Sequence, residues 1–189
     1  MESFFVSVGV VALAEIGDKT QLLALVLAAR FRKPVPIILG ILVATIANHA
    51  LAGAVGNWLA VNIGPAALRW ILGLSFIAMA AWMLVPDKIE EDEELKSRFG
   101  VFGTTLVAFF LLEMGDKTQI ATIALAAKYS SLASVVAGTT FGMMLANVPA
   151  VLLGDVAAKK LPMKLVHSIA AAIFLVLGVS VLLGFGNLA

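Results

Sequence analysis

Cysteine is absent from this chain of 189 residues, and charged residues make up only 13% of it. Without cysteine, the chain has no disulfide, no thiolate metal site and no cysteine nucleophile. The formal net charge of +1 argues against a nucleic-acid partner. The N-terminus lacks a basic region, and the first apolar stretch contains two acids and a lysine, so we do not expect a cleaved signal peptide.

Apolar residues, in contrast, make up 61% of the chain, whereas soluble domains contain about 45–50%. They form stretches long enough for helices of about 20 residues that cross a bilayer. Polar residues and prolines divide these stretches into six predicted spans, at about 4–29, 35–59, 66–85, 101–127, 132–153 and 165–185. The pattern predicts an all-α integral membrane protein with six transmembrane helices and the lipid bilayer as its surroundings.

A seven-residue signature occurs twice, as EIGDKTQ at Glu15–Gln21 and as EMGDKTQ at Glu113–Gln119, 98 residues apart. At the same offset, Ala28–Phe31 matches Ala126–Tyr129. The repeated unit therefore contains three spans, and we predict a first repeat at 1–86, an acidic cytoplasmic linker at 87–99 and a second repeat at 100–189. Because three is an odd number, the second repeat enters the membrane inverted relative to the first, an arrangement typical of secondary transporters.

Basic residues predict the orientation in the membrane. The loops after spans one, three and five contain nine Lys or Arg residues, and the opposite side has only Arg69 and Lys128 near span ends. Basic residues are enriched in cytoplasmic loops. We therefore expect both termini to lie outside the cytoplasm. The nine residues are Arg30, Arg32, Lys33, Lys88, Lys96, Arg98, Lys159, Lys160 and Lys164.

Each signature lies deep inside an apolar span, where a charge costs roughly 2.5–3.5 kcal/mol or more. Both begin about 17 Å into their spans at 1.5 Å per residue, or near the middle of a core of ~30 Å. In a continuous helix, Glu15, Asp18 and Gln21 would share one face, and Lys19 would pair with Glu15 four residues earlier. The second copy repeats this spacing. Its glycine, like Gly17, either allows close helix packing or loosens the helix, and the sequence leaves both readings open.

The charges of the two signatures predict cation/proton exchange. Two Glu, two Asp and two Lys sum to −2 when all are ionised, and one divalent cation or two protons would neutralise that sum. Oxygen ligands suit Mn²⁺, Ca²⁺ and Mg²⁺ rather than copper(I) or zinc. The candidate metal ligands are the carboxylates of Glu15, Asp18, Glu113 and Asp116 and the amides of Asn48, Asn147, Gln21 and Gln119. Thr20 and Thr118 are candidate hydroxyl ligands, and Lys19 and Lys117 are predicted to tune the charge.

The doubled Glu-x-Gly-Asp-Lys-Thr pattern, the two three-span repeats and the acidic central loop resemble the family of Golgi calcium/manganese transporters and bacterial manganese exporters. The resemblance covers nearly the whole chain and implies a six-helix inverted-repeat exchanger that moves Mn²⁺ or Ca²⁺ out of the cytosol, with protons as counter-ions. It also implies that Glu15, Asp18, Glu113 and Asp116 bind the metal. The short chain resembles the bacterial, manganese-exporting branch, which implies the bacterial inner membrane and no permanently bound cofactor.

Several alternatives stay open from the residues alone. Ca²⁺/H⁺ exchange belongs to the same class. Two membrane-embedded aspartates sharing a proton would suit an intramembrane hydrolase, and a passive cation channel would conduct without proton coupling. Away from the signatures, we expect Gly73 and Gly178 to serve helix packing and His167 to lie at the membrane interface.

Overall fold

The computed structural model describes residues 1–85, 99–153 and 163–184. Most of the predicted acidic linker and the basic loop around Lys159 lie outside these residues. The described parts contain eight helices: α1 (Glu2–Glu15), α2 (Lys19–Phe31), α3 (Pro34–Asn62), α4 (Pro65–Trp82), α5 (Gly100–Glu113), α6 (Lys117–Lys128), α7 (Leu132–Leu153) and α8 (Met163–Leu182).

Four of these helices, α3, α4, α7 and α8, are long and apolar enough to cross a membrane, and α5 is a shorter apolar helix. They correspond to the predicted spans two, three, five and six, and the bounds of the fifth agree residue for residue. The sequence leaves open whether spans one and four are continuous helices, and the structure shows that they are not. Each is divided into two short helices, α1 with α2 and α5 with α6, on either side of a signature.

Proline and left-handed backbone mark where several helices begin and end. Pro34 and Pro65 each stand at the start of a helix, where the missing amide hydrogen has no helical partner to lose. Arg32 ends α2 with a φ of 51°, and its amide donates to the carbonyl of Ala28. These local signals separate α2, α3 and α4 at the places where the sequence has polar breaks.

Glycine residues allow the core helices to approach closely. A β-carbon on Gly40 of α3 would lie 2.9 Å from the carbonyl oxygen of Phe102, and one on Gly138 of α7 would lie 2.5 Å from that of Phe4. Both contacts are too close for any side chain larger than hydrogen. The crossing of α3 with α5 is therefore matched by the crossing of α7 with α1, at residues 98 positions apart.

Helices α4 and α8 form a separate pair beside these core helices. A β-carbon on Gly178 would lie 2.9 Å from the Gly73 carbonyl oxygen, and the rings of Phe76 and Phe174 lie 6.2 Å apart. The packing role predicted for Gly73 and Gly178 is confirmed. The pair packs on α6 through α4 and on α1 through α8, which places one end of it beside the signatures.

Candidate functional site

Both signatures interrupt their helices with the same backbone geometry. Gly17 has a φ of 83° between the extended residues Ile16 and Asp18, and Gly115 has a φ of 79° in the equivalent setting. Positive φ is accessible to glycine without the steric penalty that a β-carbon brings. The glycines therefore allow the chain to leave the helix, which decides the question that the sequence leaves open.

A glutamine in each signature stabilises the restart of the helix. The Gly17 amide donates to Oε1 of Gln21 at 2.9 Å, and the Gly115 amide donates to Oε1 of Gln119 at 2.7 Å. These bonds satisfy amides that the broken helices leave without a helical partner. In this conformation, the side-chain oxygens of Gln21 and Gln119, two of the four predicted amide ligands, accept hydrogen bonds from the backbone.

The lysines link the two signatures to each other. Nζ of Lys19 lies 3.0 Å from Oδ1 of Asp116, and Nζ of Lys117 lies 3.3 Å from Oδ1 of Asp18. The sequence suggests a different pairing, of each lysine with the glutamate four residues earlier, such as Lys19 with Glu15. That pairing, and the shared face of Glu15, Asp18 and Gln21, assume a continuous helix, whereas the break at glycine separates these residues between two helices.

The two glutamates are buried and have different partners. Oε1 of Glu15 accepts a hydrogen bond from Nδ2 of Asn147 at 3.1 Å, and Oε1 of Glu113 accepts one from the hydroxyl of Thr118. Their Oε2 atoms have no hydrogen-bond partner among the described residues. The carboxyl of Glu15 lies within electrostatic range of the other three signature carboxyls, so the fold brings the four acids into one region.

The remaining predicted ligands differ from one another in their hydrogen-bond partners. Asn48 donates to the carbonyl of Phe110 at 3.0 Å and accepts from Gln119 at 3.5 Å, so it contacts the second signature through Gln119. Gln21 donates to the carbonyl of Ala146 at 2.9 Å. The hydroxyl of Thr20 is buried and makes no hydrogen bond within the described part of the chain, unlike that of Thr118.

Two further side chains from the α4–α8 pair reach the signatures, and the sequence does not point to either. Nζ of Lys117 lies 5.9 Å from the ring centroid of Trp82, at the end of α4. Nε2 of His167, near the start of α8, lies 3.2 Å from the carbonyl oxygen of Ile16. Length and hydropathy indicate only that these residues stand near span ends, so the interfacial position predicted for His167 misses this contact.

The buried parts of the two signatures contain carboxylates and lysine ammonium groups side by side. Within residues 1–85, 99–153 and 163–184, no group of three or more Asp, Glu or His residues has the geometry of a metal site. The carboxylates of Asp18 and Asp116 bind the ammonium groups of Lys117 and Lys19. Chemically, this is a set of cation-binding oxygens at which side-chain cations already bind.

Comparison with known proteins gives a family and several relatives. The family described as "Divalent cation/proton antiporter GDT1" matches residues 3–91 and 101–186. A Vibrio cholerae protein named "Putative manganese exporter" is 50% identical over 181 residues, which cover 95% of this chain and 90% of that protein. A "GDT1-like protein" of Synechocystis is 28% identical, with 92% of this chain and 93% of that protein covered. No solved structure matches the chain.

Proposed function

Because this chain belongs to the GDT1 family of divalent cation/proton antiporters, we propose that it exports Mn²⁺ from the cytoplasm in exchange for protons. Family membership makes it a membrane transporter and excludes the intramembrane hydrolase. The finer proposal concerns the transported metal, its direction and the ligands. The cross-pairing of Lys19 with Asp116 and of Lys117 with Asp18 is the observation that carries it.

These ion pairs support the proposal because they join the two signatures at buried carboxylates. The carboxyls of both aspartates are about 1% exposed, and a buried carboxylate needs a compensating charge. In the described conformation, lysine ammonium groups supply that charge. Mn²⁺ and the lysine ammonium groups would bind the same aspartate carboxylates, so we propose that the lysines act as internal competitors of the metal.

The proposed metal ligands are the carboxylates of Glu15, Asp18, Glu113 and Asp116. The glutamates are buried next to the aspartates, and each has an oxygen that makes no hydrogen bond to any described residue. Asn147, which contacts Glu15, is the amide ligand that the geometry favours most. Asn48, Gln21, Gln119, Thr20 and Thr118 stay proposed ligands of lower rank. Hard oxygen donors of this kind suit Mn²⁺ and Ca²⁺.

We further propose six spans arranged as two inverted repeats, 1–86 and 100–189, joined by a linker at 87–99. Spans one and four would then each consist of two half-helices with a signature between them. Support comes from the equivalent breaks at Gly17 and Gly115 and from the equivalent crossings at Gly40 and Gly138. Broken helices at the interface of two repeats form the ion sites of many secondary transporters.

The proposal places the protein in the bacterial inner membrane with both termini outside the cytoplasm. The count of basic residues supports this orientation. The preference for Mn²⁺ over Ca²⁺ is proposed because the Vibrio cholerae relative is named for manganese export. Ca²⁺/H⁺ exchange is the second candidate, since carboxylate and amide oxygens also suit Ca²⁺.

Purified protein in proteoliposomes tests the proposal. An imposed Mn²⁺ gradient is expected to drive proton movement in the opposite direction, measured with a trapped pH-sensitive dye. Glu15→Gln and Asp116→Asn should abolish this movement, whereas Glu2→Gln, which alters an exposed acid at the start of α1, should not. Metal flux without proton movement would favour a channel, and a response to Ca²⁺ that Mn²⁺ does not reduce would favour Ca²⁺ exchange.

A further inference from the structure

One end of the α4–α8 pair contacts both signatures next to their helix breaks. The two helices run antiparallel, because Phe76 lies beside Phe174 while Gly73, earlier in α4, lies beside Gly178, later in α8. Trp82 and His167 are therefore at the same end of the pair. Arg69 lies at the other end, where its guanidinium is 3.9 Å from a β-carbon built on Gly184.

The His167 contact involves the backbone at the residue where helix α1 ends. Ile16 follows the last residue of α1 and has an extended backbone, with ψ at 116°. Its carbonyl oxygen lies 3.2 Å from Nε2 of His167. Since a carbonyl oxygen only accepts hydrogen bonds, Nε2 must carry the hydrogen. The imidazole thus donates to the peptide between Ile16 and Gly17, which directly follows Glu15 of the proposed site.

The Trp82 contact involves the lysine of the other signature. Nζ of Lys117 lies 5.9 Å from the centre of the Trp82 ring, within the range of a cation–π interaction. The same ammonium is 3.3 Å from Oδ1 of Asp18. The ring therefore favours a position of Lys117 in which its charge faces the aspartate of the first signature.

We infer that the Trp82–His167 end of the α4–α8 pair clamps both signatures beside their helix breaks, with Trp82 and His167 as positioning residues for the carboxylates of Asp18 and Glu15. Neither side chain is a proposed metal ligand. His167 acts through the Ile16 carbonyl on Glu15, and Trp82 acts through Lys117 on Asp18. The transport readout of this inference rests on the proposed function, whereas a labelling readout does not.

Transport kinetics of clamp variants provide the first test. His167→Ala and Trp82→Leu should each raise the apparent KM for Mn²⁺ about three- to tenfold, the effect of losing one modest interaction, while kcat stays within about twofold. His167→Gln should restore KM, since its amide nitrogen also donates. Arg69→Ala and Trp70→Leu alter the far end of the pair and an exposed face of α4, and both should leave KM unchanged. An unchanged KM in His167→Ala, or failure of the Gln variant to restore it, would overturn the inference.

Cysteine labelling provides a test that does not depend on transport, because the chain has no cysteine of its own. In Ile16→Cys protein, addition of His167→Ala should speed reaction with a maleimide several-fold, since the released segment becomes more accessible. Equal labelling rates with and without the His167→Ala substitution would contradict the inference. Absence of Mn²⁺ transport by the wild-type protein would instead contradict the proposed function.

Discussion

Nζ of Lys19 lies 3.0 Å from Oδ1 of Asp116, so a lysine of the first signature binds an aspartate of the second. The equivalent contact of Lys117 with Asp18 runs in the opposite direction. Each signature therefore supplies one cation to the other and takes one in return. A charge removed from one signature leaves a buried opposite charge in the other, so the two should not behave as independent sites.

The two ion pairs differ in exposure, and their stabilities should differ accordingly. The side chain of Lys117 is 2% exposed, whereas that of Lys19 is 24% exposed. Loss of one partner from a buried ion pair costs about 3–5 kcal/mol, because the remaining charge is left uncompensated. We expect Lys117→Met to lower the free energy of unfolding by about this amount and Lys19→Met to lower it less, since the side chain of Lys19 is less completely buried.

Thermal unfolding in detergent would measure this order. The double variant Lys117→Met with Asp18→Asn provides the control, because it removes both charges and should recover part of the stability. A larger loss from Lys19→Met than from Lys117→Met would contradict the assignment of the buried pair.

The sequence predicts that the two signatures meet, and their cross-pairing agrees with that prediction. It does not predict which residues pair, because the i, i+4 rule applies only within a continuous helix and glycine is compatible with a helix or with a break. The bonds from the amides of Gly17 and Gly115 to glutamine oxygens depend on that break. The sequence therefore indicates that the two signatures meet but not how their side chains pair.

The contacts of Trp82 and His167 could not be predicted from the hydropathy pattern, because that pattern does not show how a pair of helices packs against its neighbours. One signal is present: His167 stands 98 residues after Arg69, so polar residues occupy matching positions near the starts of α4 and α8. That match identifies the position but not its contact, since only His167 of the two is hydrogen-bonded to a signature segment within the described residues.

Substitution of Gly115 should destabilise the protein because of the backbone conformation at this residue. Its φ of 79° is strained for any residue with a β-carbon, although a β-carbon there would have no neighbour within 4 Å. Gly115→Ala should therefore destabilise the protein by about 1–2 kcal/mol, and Gly115→Asn by less, because asparagine tolerates this conformation better. Measurement of Tm in detergent checks the order.

Gly9 provides the matched control for this effect. It also has open space around a β-carbon but lies inside α1 without a positive φ. Alanine favours helix over glycine, so Gly9→Ala should cause no loss of Tm. Similar losses at Gly9 and Gly115 would show that backbone strain is not the cause.

The two asparagines should contribute differently to metal affinity, despite their matching places in the sequence. Asn147 donates to the carboxylate of Glu15 at 3.1 Å, whereas Asn48 donates to the backbone carbonyl of Phe110 at 3.0 Å. We expect Asn147→Ala to weaken Mn²⁺ binding about tenfold, since a hydrogen bond to a charged group contributes about 1.5–3 kcal/mol. Asn48→Ala should mainly reduce Tm. Titration calorimetry with Mn²⁺ would separate the two, and an equal loss of affinity in both would contradict this difference.

The threonines of the two signatures provide a closely matched comparison, because they occupy the same position in identical sequence contexts. The hydroxyl of Thr118 donates to Glu113, whereas that of Thr20 is buried and makes no hydrogen bond to the residues that the structure describes. Valine has nearly the same shape as threonine but cannot donate. Thr118→Val should leave the Glu113 carboxyl without its donor and change Mn²⁺ affinity by about tenfold, since such an unsatisfied group costs about 1–3 kcal/mol.

Thr20→Val should change Mn²⁺ affinity less than Thr118→Val does, because it removes no hydrogen bond to a described carboxyl. Both affinities can be measured by calorimetry on protein whose Tm has been checked, so that a folding defect is not mistaken for a binding defect. Equal effects of the two substitutions would show that both hydroxyls act on the metal in the same way. A larger effect at Thr118 would instead show that the two halves of the site hold their glutamates by different means.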